Sequence, residues 1–260
     1  MVATASSTAI AIAERDRVVV RGLDLCADLI GHLSFGAYFV FLLTGEKPDA
    51  KLTRMVDATM ISIAEHGLVP SVQAARMTYA ASPESLQGAV AAGILGCGPV
   101  ILGASETAGA LLVKIINAAK GGDLDAAALA AVRELRAAKQ TIPGFGHDLH
   151  KPNDPRAVRL LALAREIGVA GSHVAALEAV HRAIPTVYGR DLTLNVSGAI
   201  PAVLLDAGFP AGALKGIPLI GRVASLVGHL LEERTKPIGF RLSDVAAGAI
   251  DYDGAWPATK

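Results

Sequence analysis

The stretch Ile142-Pro143-Gly144-Phe145-Gly146-His147, running on through Asp148-Leu149-His150-Lys151-Pro152-Asn153-Asp154-Pro155-Arg156, interrupts a chain that otherwise reads as helix. Upstream, Asp123 caps a helix whose Leu124, Ala128, Val132 and Leu135 recur at helical spacing, while Arg133, Arg136 and Lys139 suit its C-terminal end. Thr141-Ile142-Pro143-Gly144 stops it. The Gly-Phe-Gly that follows permits a close approach of backbone to a ligand, and His147 then points into that space. Downstream, helices are expected over roughly Pro155 to Ile167 and Ser172 to Ile184, parted by Gly168 to Gly171.

Working outward, Ser82-Pro83-Glu84 reads as a cap, a first-turn proline and an acid at the positive end of a helix through Leu95. Gly96-Cys97-Gly98-Pro99 ends that helix. Ala and Leu dominate and alternating polarity is scarce, so the expected class is all-α. Three further segments break the helical monotony with polar residues among glycines and prolines, which is where sites usually sit. They are Ala64-Glu65-His66-Gly67-Leu68-Val69-Pro70, the run from Gly98 to Glu106, and Leu194-Asn195-Val196-Ser197-Gly198.

With 260 residues, 52% hydrophobic and 18% charged, the chain has room for one or two compact domains and is too apolar to be disordered. Its 24 basic residues are matched by 24 acidic ones, which argues against a nucleic-acid partner, since phosphate binding draws on an excess of Lys and Arg. Cys26 and Cys97 lie far apart with no CxxC spacing, so neither a disulfide framework nor a zinc site is suggested, and a reducing cytoplasm fits best. The most apolar stretches, Leu29 to Leu43 and Ile200 to Phe209, are shorter than the ~20 residues of a spanning helix and are expected as buried helices rather than membrane segments. Met1 to Ile12 lacks the basic and long apolar regions of a secretory signal and is expected as a loose tail or short first helix. The shortage of charge also points to surface hidden in an oligomer.

These segments, in this order, resemble the citrate synthase superfamily, most closely its citryl-CoA lyase branch. The resemblance begins near Arg21-Gly22-Leu23-Asp24, continues through Leu42 to Pro48, and reaches Arg222 and Lys236-Pro237, so it covers almost the whole chain. It implies a two-fold helical dimer whose large domain is residues 1–104 with 210–260, and whose small domain is residues 105–209. It also implies a coenzyme A thioester as substrate or product, with no tightly bound cofactor and no metal, alongside a di- or tricarboxylate. By the resemblance, His147 holds the keto oxygen that becomes the tertiary hydroxyl of the condensed product, and His66 contacts substrate. Arg156 and Arg222 fall where the family grips carboxylates, chemistry that a planar guanidinium suits. Lys236 stands where synthases carry an arginine that reaches across the dimer. Gly144, Gly146 and Lys151 fall where the family wraps coenzyme A.

Two departures qualify the activity. Synthases carry a thioester-facing histidine where this chain has Ile101, which cannot donate a hydrogen bond, so the departure points toward carbon–carbon cleavage. Lyase relatives read Leu-Asn-Val-Asp-Gly, with the aspartate as acid/base at the acetyl methyl carbon, where this chain has Ser197. A serine has no useful pKa near neutrality. The leading expectation is an acyl-CoA lyase acting on citryl-CoA or a similar 3-hydroxyacyl-CoA. Alternatives are a relative with an altered acyl group, for which Ser197 makes room, and a catalytically silent binder of acyl-CoA or dicarboxylate.

Overall fold

The computed structural model describes residues 6–98, 102, 104–147 and 149–257. The described residues are mostly helical, at 62% helix. Near the N-terminus the backbone forms a small antiparallel sheet of β1 (Ala11–Ala13), β2 (Val18–Val20) and β3 (Leu23–Asp24); of the stretch expected as a tail or short helix, Ala11 and Ile12 join it. The triple valine of β2 is the local reason, because β-branched side chains favour extended backbone. Helices follow: α1 (Phe35–Thr44), α2 (Ala50–Ala64), α3 (Pro70–Ala81), α4 (Leu86–Leu95), α5 (Ala104–Ala119), α6 (Leu124–Ala137), α7 (Pro155–Glu166), α8 (Ser172–Tyr188), α9 (Val196–Asp206), α10 (Gly216–Glu233) and α11 (Gly239–Ala249).

The helix expected from Ser82 begins instead at Leu86, because Ser82 closes α3: its N–H donates to the carbonyls of Thr78 and Tyr79. Asp123 does cap α6, its Oδ1 accepting the N–H of Ala126 at 2.9 Å. The helix from Ser172 runs to Tyr188, one turn past Ile184.

Contacts divide the chain into two compact units, residues 1–63 with 102–218 and residues 64–101 with 219–260. This partition differs from the expected one, in which residues 1–104 belonged together with 210–260. Several contacts bring the first 63 residues into the first unit. Phe39 packs on Phe209 with ring centroids 6.2 Å apart, and Lys51 Nζ donates to the carbonyl of Gly168 at 3.3 Å.

In the first unit α9 is the central element, packed by α5, α7 and α8, with Ile200, Val203 and Leu204 fully buried. Asp206 at its end accepts hydrogen bonds from the N–H groups of Gly171, His173 and Val174, and so caps α8 from a neighbouring helix. The expectation of a buried helix therefore holds for Ile200 to Phe209. It holds only in part for α1, which buries Val40 and Phe41 but exposes Phe35 and Leu43. The sheet and α1 share a small core of Val20, Leu29 and Phe41, and Arg21 donates to the carbonyls of Leu42 and Leu43, which joins two of the sequence segments.

In the second unit α3, α4 and α10 pack around Val72, Ala75, Tyr79, Ala89, Leu226 and Leu230. A side chain at Gly93 would fall 2.7 Å from Leu226 and 2.8 Å from the carbonyl of Ser71, so this glycine sets how closely the helices approach. By length and composition α10, with the turn before it, is apolar enough to cross a membrane. Its Arg222 and Glu233 are nevertheless buried in protein.

Candidate functional site

In the first unit, the Gly-Phe-Gly loop is stitched to the segment that leads into α9. Gly146 N–H donates to Thr193 O at 2.7 Å, Asn195 N–H to Gly144 O at 3.0 Å, and Phe145 forms an isolated antiparallel bridge with Leu194. Asn195 does double work: Oδ1 caps α9 at Ser197 N–H (3.0 Å) and Nδ2 donates to Gly146 O (2.7 Å). Both loop glycines have positive φ, +85° at Gly144 and +93° at Gly146, where other residues are strained. Their roles differ. A Cβ on Gly144 would lie 2.5 Å from Gly198 Cα, so the close packing on α9 requires a glycine here. Around Gly146 there is open space.

His147 follows. Its Nδ1 accepts the N–H groups of Leu149 (3.1 Å) and His150 (3.0 Å), so in the neutral ring the proton is assigned to Nε2. Arg156 Nη2 stands 3.5 Å from that Nε2, at the outer limit of a hydrogen bond, so the two shorter backbone contacts at Nδ1 decide the tautomer. Asp154 sets both the helix and the guanidinium. Fully buried at the N-cap of α7, it accepts the Arg156 N–H (3.0 Å), Arg156 Nε (3.0 Å) and Nη2 (2.9 Å), and the N–H of Val196 at the start of α9 (2.9 Å). Burial raises the Asp154 pKa. The Arg156 side chain and the two N–H donors outweigh that and hold the carboxyl below its ordinary value. One edge of the Arg156 guanidinium is thus spent on Asp154, and the outer Nη1/Nη2 edge is the one suited to a substrate carboxylate. Ser197 lies in the first turn of α9, half-buried, at the positive end of that helix. Lys151 is exposed on the loop.

The second unit holds His66, Arg222 and Lys236. Glu65 Oε1 accepts the N–H of His66 (2.9 Å) and of Gly67 (2.6 Å), fixing the turn that follows α2. Its Oε2 accepts Ser225 Oγ at 2.5 Å and meets His229 Nε2 at 3.1 Å, both on α10. Arg222, on the same helix, is 2% exposed. Its charge acts on Cys97: burial pushes that thiol up, and Arg222 and Ser71 pull the other way. Lys236 lies on the surface, its Nζ 3.7 Å from Glu232. A cavity of about 420 Å³ nearby is lined by Tyr79, Arg234, Phe240 and Arg241 among others, and Lys236 is not in its wall. Arg234 Nε donates to the Tyr79 hydroxyl at 2.8 Å.

Ile101 and Asp148 lie outside the described residues. Sequence reading singled out neither the capping role of Asp154 nor the part played by Asn195, Arg76 and His229. Arg76 did leave a signal: it falls on the same helix face as Val72, Ala75 and Tyr79, all buried, and a charge on an apolar stripe requires a buried partner.

The citrate synthase C-terminal domain family matches residues 2–241. Citrate synthase of Acidithiobacillus ferridurans is 26% identical over 227 residues, covering 84% of this chain and 56% of that protein. The chain thus spans about half the length of the curated relatives it matches. Among solved structures, citryl-CoA lyase from Hydrogenobacter thermophilus is 34% identical with a TM-score of 0.85, over 98% of this chain and 97% of that one. ATP citrate lyase from Methanothrix soehngenii, in complex with citrate and coenzyme A, shares the fold at 23% identity and a TM-score of 0.79, over 98% of this chain and 42% of that one.

Proposed function

The chain belongs to the citrate synthase family, and we propose that it cleaves citryl-CoA, or a close 3-hydroxyacyl-CoA, to a keto acid and a short acyl-CoA by a retro-Claisen reaction. The observation that carries this reading is the His147, Asp154 and Arg156 constellation. It offers one imidazole N–H beside a guanidinium edge whose direction is fixed by a buried carboxylate. That pair suits an oxygen gaining negative charge next to a carboxylate, which is the tertiary hydroxyl of a citryl group as its carbon–carbon bond breaks. Likeness to a citryl-CoA lyase over 98% of the chain, together with Ile101 where synthases carry a histidine, favours cleavage over condensation.

In the proposed reaction the His147 Nε2–H hydrogen-bonds the hydroxyl oxygen and stabilises it as the proton leaves to His66. Because Nδ1 already accepts two N–H groups, His147 acts here as a donor, and the base is taken from the family resemblance, which sets His66 against substrate. The electron pair of the breaking bond passes to the thioester-bearing fragment, its carbon takes a proton from a solvent water on the Ser197 side, and the hydroxide so formed is neutralised by the proton that the base took up. Arg156 and Arg222 hold carboxylates, Gly146 and Lys151 border the coenzyme A chain, and Lys236 gives at most a single-point contact. The coenzyme A thioester is a substrate or product, with no other cofactor or metal in the scheme. The assembly is a cytoplasmic homodimer that uses no nucleic acid or membrane. Exposed Val223, Val227 and Leu231, four residues apart on α10, supply an apolar stripe for the dimer contact.

The test is incubation with synthetic citryl-CoA and a panel of 3-hydroxyacyl-CoA esters, with free acyl-CoA and keto acid followed by mass spectrometry. Release of oxaloacetate and acetyl-CoA in equal amounts, abolished by His147→Ala, is the expected result. Binding without turnover across the panel would overturn the reading in favour of a silent binder. Turnover confined to another ester would favour an altered acyl group.

A further inference from the structure

Arg76 is 2% exposed and sits at the centre of a chain of polar contacts. Its Nε donates to Glu233 Oε2 at 2.5 Å, its Nη1 to Glu232 Oε2 at 2.9 Å, and its Nη2 to the carbonyl of Lys236 at 2.9 Å. Nη1 also lies 3.3 Å from His229 Nδ1. The Nε2 of His229 faces the Glu65 carboxylate, which only accepts, so the ring proton belongs on Nε2 and Nδ1 is left to accept from the guanidinium. The His229 proton is then on Nε2, which stands 3.1 Å from Glu65 Oε2 and donates to it. Ser225 Oγ donates to the same oxygen, and the other oxygen of Glu65 takes the backbone N–H groups of His66 and Gly67.

The direction of donation is therefore set from end to end. Arg76 and Glu65 together fix the tautomer of His229, His229 and Ser225 fix the rotamer of Glu65, and Glu65 fixes the His66-Gly67 turn. We propose that His229 is a positioning residue: held in its Nε2–H tautomer between Arg76 and Glu65, it orients Glu65 so that the His66 backbone is presented in one conformation. This deepens the proposed function and rests on it wherever His66 is taken to face substrate. The same arginine binds the Lys236 carbonyl, and Ser225 and His229 lie on the helix that carries Arg222. One buried cation thus links the His66 turn to the backbone of Lys236. A positioned group is worth much to a reaction because small displacements of a reacting side chain are costly.

The test uses the full chain, labelled with ¹⁵N in histidine. At neutral pH His229 is expected to show a protonated Nε2 and an unprotonated Nδ1; the reverse tautomer overturns the proposal. In His229→Leu the donor to Glu65 is lost, and amide exchange at His66 and Gly67 is expected to speed up about tenfold, the loss of one hydrogen bond. In His229→Gln, whose amide N–H replaces ring Nε2–H, exchange stays near wild type. Ser225→Ala, a milder loss of donor to the same oxygen, gives an intermediate rate should the leucine variant not fold. Toward citryl-CoA, His229→Leu is expected to lower kcat about 10- to 100-fold with little change in KM, and His229→Gln to restore it. Equal behaviour of the Leu and Gln variants overturns the proposal. If wild type cleaves none of the esters, the functional reading fails on its own, and the tautomer and exchange measurements still decide the positioning role.

Discussion

Replacing Asp154 by asparagine keeps the shape of the α7 N-cap and removes its charge. The carboxylate takes four hydrogen bonds, three from Arg156 and one from Val196, and is fully buried, while the Arg156 side chain is 19% exposed. Breaking a buried pair by removing one partner costs about 3–5 kcal/mol, and the retained amide oxygen places this variant near the low end, about 3 kcal/mol. For a chain of this size that is a fall in Tm of roughly 6–12 °C by calorimetry. The folded pKa lies below the ordinary 3.8. The contribution is therefore complete above the unfolded value and is lost as pH falls below it toward the folded one. The gap between wild type and Asp154→Asn should stay constant from pH 8 to 5 and narrow as the pH falls through the ordinary carboxylate value toward the lower folded one. Because Arg156 loses its anchor, protection by oxaloacetate against thermal unfolding should weaken as well. Equal melting temperatures at pH 7, or a gap that widens toward acid, would refute the reasoning.

If Arg156 and Arg222 clamp carboxylates, Arg156→Ala and Arg222→Ala should each abolish the rise in Tm produced by oxaloacetate or citrate while leaving a folded protein by circular dichroism. Undiminished protection in both removes the clamp. Ser197→Asp restores a carboxylate in the first turn of α9, and citryl-CoA turnover should rise by about 100- to 10,000-fold, the worth of a positioned acid or base. A fall in turnover of the true substrate would assign the serine to a different acyl group. Gly144→Ala should lower stability by about 2–4 kcal/mol in urea unfolding, since overpacking against Gly198 adds to the strain of positive φ. Gly146→Ala carries the strain alone, about 1 kcal/mol, and an equal loss at both positions would contradict the packing role.

The sequence by itself determined the helical class, several helix boundaries and the segments that bear polar side chains, because these depend on local chemistry. Asp123 caps α6, Gly-x-Gly permits positive φ, and small apolar residues at helical spacing form buried faces such as that of α9. Local reading failed where another element competed. Ser82 was claimed by the end of α3 before it could open α4, and the valines of β2 found an extended partner. His66, His147, Arg156 and Arg222 stand out in the sequence as polar side chains among glycines, prolines and apolar residues, but the states of His147 and Arg156 do not. That His147 presents Nε2–H depends on backbone N–H groups two and three residues on, and that Arg156 is held depends on a carboxylate buried between α7 and α9. Arg76 and His229 are 153 residues apart, and Glu65 and His229 are 164 apart. No local pattern ties them, since a hydrogen bond requires atoms about 3 Å apart and only tertiary packing brings residues so distant in sequence to that separation.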